Sequence, residues 1–205
     1  NKTLSVNVNG LTTTGLVDID TDITTINIDS STKASTIANL ADASATALNI
    51  SGDAKLTLTA QTIAATAVVT STNTAGVKLG TALATGSKFV GGDGDDTITL
   101  SNAFTKAITT GAGDDVVTYA GPAGVGGSLD TGEGEDTLVM TGAIAATASA
   151  TATFNTKTTG FENVLLTDGA GVAVNLAGLG GIEAISSQGS TGVITVNSFV
   201  SGGTL

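Results

Sequence analysis

Nine of the eighteen acidic residues in this 205-residue chain fall between positions 91 and 136, with a single lysine, Lys106, among them. All but Asp130 occupy three copies of one pattern. Gly91-Gly92-Asp93-Gly94-Asp95-Asp96-Thr97-Ile98-Thr99 matches G-G-x-G-x-D-x-U-x at every fixed place, U being a large apolar residue. Thr110-Gly111-Ala112-Gly113-Asp114-Asp115-Val116-Val117-Thr118 matches with Thr in the first place. So does Thr131-Gly132-Glu133-Gly134-Glu135-Asp136-Thr137-Leu138-Val139. Glycines let the backbone curl at positive φ with its carbonyls turned inward. The sixth-place Asp adds a carboxylate. Carbonyl and carboxylate oxygens are the ligand set of Ca²⁺, whereas Mg²⁺ demands strict octahedral geometry and keeps its waters. The candidate metal residues are Gly91, Gly92, Asp93, Gly94, Asp95, Asp96, Gly111, Gly113, Asp114, Asp115, Gly132, Glu133, Gly134, Glu135 and Asp136. The competing reading is a set of Asp-Gly turns with solvated carboxylates, which would explain one copy better than three in phase. Nine acids and one lysine make a net charge of −8 in this segment, which repels itself without metal.

The spacing says which elements must position these loops. Gly92, Gly111 and Gly132 recur at nearly even intervals, each close to the two nonapeptides that make one turn of a parallel β-roll. The sequences between fit degenerate half-turns, with Ile108 and Leu129 in the apolar eighth place. All three acidic loops are then expected on one edge, with calcium between successive loops and two full sites.

The rest of the chain has the same rhythm. Leu4–Val8, Thr24–Ile28, Ala47–Ile50, Lys55–Thr59, Ala67–Thr70, Val77–Leu79 and Lys88–Val90 are short alternating or apolar runs that end in Gly, Asn, Asp or Ser. Val6, Ile26 and Leu48 read as equivalent places in successive units. Their period of about 20 residues marks a solenoid whose units must stack to bury their apolar faces. The expected fold is all-β: one continuous parallel β-solenoid of about ten coils, roughly 50 Å long at about 4.8 Å per coil. Its sections are N-terminal coils over 1–88, the acidic β-roll over 89–140, and C-terminal coils over 141–205. Thr, Ala, Val and Gly are expected inside the narrow coil, and Phe outside it. One short helix is expected within 32–43, capped by Ser or Thr, and none in the Ala-rich stretch 143–152.

Composition removes whole classes of chemistry. The chain has no His, Cys, Trp or Arg. It therefore lacks an imidazole base, a thiol nucleophile, a disulfide and a guanidinium clamp. A net charge of −11 disfavours nucleic acid and anionic membranes. Mean hydropathy of +0.34 is too apolar for a solvated tail, and no apolar run approaches the ~20 residues of a membrane-spanning helix. The start at Asn1, without Met or a signal segment, reads as an internal piece of a longer protein.

The nonapeptides resemble RTX repeats. The ordered phrases Val8-Asn-Gly-Leu-Thr-Thr-Thr-Gly15, Leu48-Asn-Ile-Ser-Gly-Asp-Ala54, Leu79-Gly-Thr-Ala-Leu-Ala-Thr-Gly86 and Thr105-Lys-Ala-Ile108 resemble the interior of RTX-type bacterial surface-layer (S-layer) proteins. The likeness runs over roughly residues 1–165 and is patchy beyond. It implies export by a type I system, folding on calcium outside the cell, and assembly with copies of itself into a lattice on the cell surface. It also implies that cell anchoring lies in a region other than this segment. Thr at the first glycine of two repeats and the extra residues between half-turns depart from the family pattern.

Two smaller patterns carry alternatives. Gly160-Phe161-Glu162-Asn163-Val164 and Gly181-Ile182-Glu183-Ala184-Ile185 lie one coil apart. Stacked Glu162 and Glu183 could act as the carboxyl pair of a retaining glycosidase. Without neighbouring His, Arg or aromatics, the structural reading is stronger: each Glu bonds nearby backbone N–H groups. Asp18, Asp20 and Asp22 make D-x-D-x-D without the Gly and closing Glu of an EF-hand, and read as a solvated turn. The sequence thus points to a structural protein rather than an enzyme. Competing readings are an adhesin, an ice- or carbohydrate-binding coil, and an enzyme, either a solenoid lyase or epimerase or the RTX tail of a protease. Ice binding would require Thr-x-Thr, as at Thr57/Thr59 and Thr97/Thr99, in the same place on every coil.

Overall fold

In the computed structural model, which describes residues 2–19, 22–169, 171–180 and 182–198, the chain winds as a parallel β-solenoid of about nine turns. Most turns contribute one strand to each of two long sheets, and Val172–Asn175 pairs with Ile194–Asn197 in a separate short sheet near the end. The first sheet runs Lys2–Val8, Ile23–Ser30, Ala47–Gly52, Val68–Ser71, Lys88–Val90, Ala107–Ala112, Ser128–Glu133 and Thr158–Thr159. The second runs Ser35–Ile37, Leu56–Leu58, Val77–Leu79, Thr97–Leu100, Val116–Tyr119, Thr137–Met140, Asn163–Leu166 and Ala184–Ser187. A short third sheet, Leu16–Asp18, Asn39–Ala41 and Gln61–Thr62, closes the first turns. Every pairing is parallel, so each turn satisfies its backbone on the turns before and after it.

Alternation sets the inward face. In Ile23–Ser30, Ile26, Ile28 and Ser30 are buried while the residues between them are partly open. The inward rows of the two sheets meet in one core that extends from Val8 to Ile185. Large side chains fully buried in it include Phe89, Phe104, Ile26, Leu48, Leu56 and Ile98. The expectation of a core of small residues, with Phe outside, is therefore corrected. The space between the sheets holds Ile, Leu and Phe, and most strand threonines face out because alternation gives them the solvent side.

The register corrects a second expectation. Ile26 pairs with Leu4 and Leu48, while Val6 pairs with Ile28. Leu4 and Val6 both point inward, so a slip of two residues keeps the same face buried and alternation cannot choose between them.

The helix lies elsewhere than expected. Residues 35–37 and 39–41 are strands, because Ser35, Thr36 and Ile37 pair with Leu56, Thr57 and Leu58, and Leu40 and Ala41 pair with Gln61 and Thr62. Helix α1 is Gly142–Ser149, its first turn capped by the Thr141 hydroxyl, which accepts from the Ile144 N–H at 3.3 Å. A single-turn helix, α2, follows at Phe154–Lys157. This turn of the solenoid is longer than its neighbours. Thr137 pairs with Asn163, a wider step in the chain than those by which Thr97 meets Val116 and Val116 meets Thr137. The surplus leaves the coil as a helix whose Ala145 and Ala148 pack inward.

Beneath α2 the aromatics form a row. Phe104, Tyr119, Phe154 and Phe161 meet edge to face, with successive ring centroids 6.1, 5.8 and 5.9 Å apart. Between the helices and residues 119–123 lies a groove of about 280 Å³ lined by Tyr119, Pro122, Ile144, Phe154 and Lys157.

Candidate metal centre

The three acidic loops lie on one edge of the coil, each leading into a strand of the second sheet. Thr97, Val116 and Thr137 stand opposite one another across turns, so the residues before them, Asp96, Asp115 and Asp136, form a column. All three are buried, at 1, 0 and 0 % exposure. Each reaches back to the turn before it. Oδ1 of Asp96 accepts from the Val77 N–H at 2.8 Å, that of Asp115 from the Asp96 N–H at 2.7 Å, and that of Asp136 from the Asp115 N–H at 2.8 Å.

The fifth-place acids form a second, exposed ladder that runs the other way. Oδ1 of Asp95 accepts from the Asp114 N–H at 2.9 Å, and Oδ1 of Asp114 from the Glu135 N–H at 3.0 Å. Two gaps therefore receive a carboxylate from both neighbouring loops: Asp95 with Asp115, and Asp114 with Asp136. Among the described residues no three acidic side chains converge on one point, so a cation held here would complete its shell with backbone carbonyls and water.

The glycines permit this closeness. A Cβ on Gly132 would stand 1.8 Å from the Gly111 carbonyl oxygen, and one on Gly111 2.2 Å from that of Gly92. Both have φ near +100°, a conformation that L side chains rarely adopt.

One carboxylate oxygen in each column residue is left over. Oδ2 of Asp96, Asp115 and Asp136 is buried and has no hydrogen-bond partner among the described residues. Thr110 carries one hydroxyl proton and donates it to the Thr131 carbonyl at 2.8 Å, although the hydroxyl also lies beside Asp115. Buried polar atoms are nearly always partnered, and an unpaired one costs on the order of 1–3 kcal/mol. Burial accordingly pushes the Asp96 carboxyl up to about 7 and that of Asp115 up to about 6. Asp136 is raised for the same cause, and its neighbours Glu162 and Asp114 raise it further. A divalent cation supplies what these oxygens lack, so the residues present fit calcium.

The other candidates fall around this column. Gly94 is buried; Gly91, Gly92, Gly111 and Gly113 are half-buried; Asp93, Gly132, Glu133, Gly134 and Glu135 are exposed on the rim. Glu162 continues the column, because Asn163 pairs with Thr137, and its Oε2 accepts from the Asp136 N–H at 3.0 Å. Glu183 is exposed one turn further on. In the sequence, Glu162 stands apart from the acidic repeats. The signal was present: Gly160-Phe161-Glu162-Asn163-Val164 repeats the G-x-D-x-U half of the nonapeptide with Glu for Asp. Its wider offset from Asp136 hid the match. Asp18 and Asp22 are exposed, whereas Asp20 and Gly181 lie outside the described residues.

The fold defines the molecule as a parallel β-solenoid with an acidic edge. No family model matches the chain, and a search of curated proteins returns no match.

Proposed function

We propose that this chain is a structural, calcium-rigidified segment of a secreted surface-layer protein, exported by a type I system and packed against copies of itself on the outside of a bacterial cell. One observation carries the calcium reading: three buried carboxylates stacked on one edge, each with an oxygen that has no partner. The lattice reading rests on the likeness of the ordered sequence phrases to S-layer proteins. Cation binding would turn a self-repelling stack into a cross-link between turns. At the Kd of about 10⁻⁴–10⁻³ M typical of extracellular modules, 1 mM calcium contributes roughly 0.4–1.4 kcal/mol per site and micromolar calcium almost nothing. The acidic turns would then stay loose in the cytoplasm and set after export.

Catalysis is disfavoured by the missing His, Cys and Arg. Glu162 is engaged by the Asp136 backbone, as a structural residue would be. The ice-binding alternative loses ground for a specific reason. Thr36, Thr57, Thr97 and Thr137 share one outward column, but Lys78 and Val116 interrupt it.

Hydrogen exchange with calcium and with EGTA tests the proposal. Calcium should protect residues 91–140 first and most. Protection that is uniform along the chain, or unchanged by EGTA, would leave the acidic loops as solvated turns.

A further inference from the structure

The acidic column has two unlike ends, and the first end has a lysine, Lys55, beside it. The gap between Val77 and Asp96 differs from the two that follow. It receives the Asp96 carboxylate, whose Oδ1 accepts from the Val77 N–H. The place that Asp95 and Asp114 fill in the later gaps is held here by Gly76, which contributes no carboxylate. Even so, the oxygens resemble those of a cation site. Oδ2 of Asp96 is buried without a partner, and the Asp95 carbonyl oxygen is turned down onto Gly76, 2.0 Å from where a Cβ there would stand. Lys55 reaches this carbonyl from two turns away, its Nζ donating to the Asp95 oxygen at 3.2 Å. The Lys55 charge also favours the ionised form of Asp96, opposing burial and the repulsion of Asp115 and Asp95.

We infer that the Lys55 ammonium serves as the resident cation of the first gap, so that the column takes two calcium ions rather than three and its N-terminal end is set without metal. The inference rests on the calcium reading for the stoichiometry and is independent of it for the charge coupling of Lys55 to Asp96, which acts from the Asp95 carbonyl because the two side chains form no direct ion pair. Chemically, a half-site with one carboxylate is balanced by one positive charge. A gap with carboxylates from both loops needs the double charge of a divalent ion. Lysine suits the role because its long stem crosses two turns while its head remains hydrated at the rim.

Two measurements on the 205-residue chain decide it. The first is a double-mutant cycle in EGTA, comparing urea midpoints of the parent, Lys55→Met, Asp96→Asn and the double variant. Lys55→Met should lower the midpoint in the parent and leave it nearly unchanged in the Asp96→Asn background, and Lys55→Arg should behave as the parent. An equal loss in both backgrounds would mean that Lys55 contributes packing only and would overturn the inference. The second is calcium counted by native mass spectrometry. The parent should bind two ions. Three would show that metal enters the first gap in spite of Lys55, which also overturns it. Binding of no calcium would sink the calcium reading and the stoichiometry with it, while the cycle in EGTA would still judge the Lys55–Asp96 pair. Amide exchange gives a residue-level check. The Val77 amide should be protected in EGTA, and the Asp96 and Asp115 amides should gain their protection on adding calcium.

Discussion

The backbone N–H of Asp96 donates to Oδ1 of Asp115, one turn further along the solenoid, at 2.7 Å, while Oδ2 of Asp115 has no partner. The same carboxylate thus ties two turns together and is buried with no cation paired to it among the described residues. Stability, pH and metal are coupled through that one group and its equivalents above and below.

The metal-free chain should lose stability as pH rises. The Asp96 carboxyl stands at about 7 in the folded chain against an ordinary value of 3.8, and that of Asp115 at about 6. A raised carboxyl means that the folded state holds protons the unfolded chain has already released. The urea midpoint in EGTA should therefore fall between pH 4 and pH 7 and level off above. For Asp96 alone the loss is at most about 4 kcal/mol, at about 1.4 kcal/mol per pH unit. Excess calcium should flatten the curve, and calorimetry at pH 6 should register proton release on binding. A midpoint that rises from pH 5 to pH 8 in EGTA would contradict this.

Asp115→Asn should act in opposite directions in the two conditions. The amide oxygen keeps the bond from the Asp96 N–H, while the buried charge is gone. In EGTA the variant should be more stable than the parent, by on the order of 1–2 kcal/mol. With calcium it should be less stable and bind at least tenfold more weakly. Asp18→Asn, on an exposed position, should do neither. Equal calcium affinity in both variants, by titration calorimetry, would remove Asp115 from the site.

Gly132→Ala should disrupt the acidic edge. The new Cβ would meet the Gly111 carbonyl oxygen at 1.8 Å, backbone against side chain, at φ +97°. Neither can yield without separating two turns, so a loss of roughly 3 kcal/mol or more in stability with calcium is expected. Gly15→Ala meets nothing within 4 Å and should stay within about 0.5 kcal/mol of the parent. Similar melting temperatures for the two variants would argue against the stacking described here.

Phe154→Ala should cost about 3–5 kcal/mol, because Phe154 is buried and central in the aromatic row, edge to face with Tyr119 and Phe161. The loss should be largely the same with and without calcium, measured by chemical denaturation, since Phe154 packs on Tyr119 and Phe161 rather than on the Asp column, which the row approaches only through Phe161, the neighbour of Glu162. A calcium-dependent loss would mean that helix insertion and acidic column are coupled.

What the sequence determined by itself is local. Glycine at fixed places, Asp at the sixth and an apolar residue at the eighth specify a loop and the strand that follows. Their repetition at nearly the length of two nonapeptides places the loops on one edge, where Thr97, Val116 and Thr137 pair. Tertiary structure decided everything that depends on a neighbour not written into the motif. Leu4 rather than Val6 stands against Ile26, because both face inward and the turns set the register. Residues 35–41 are strand because Leu56–Leu58 and Gln61–Thr62 pair with them, whereas 142–149 is helix because its turn has residues to spare. Glu162 joins the Asp column across the helical insertion, and Lys55 reaches Asp95 from two turns away. Such contacts are set by how many residues each turn takes to come round, a quantity fixed by stacking on the turns on either side.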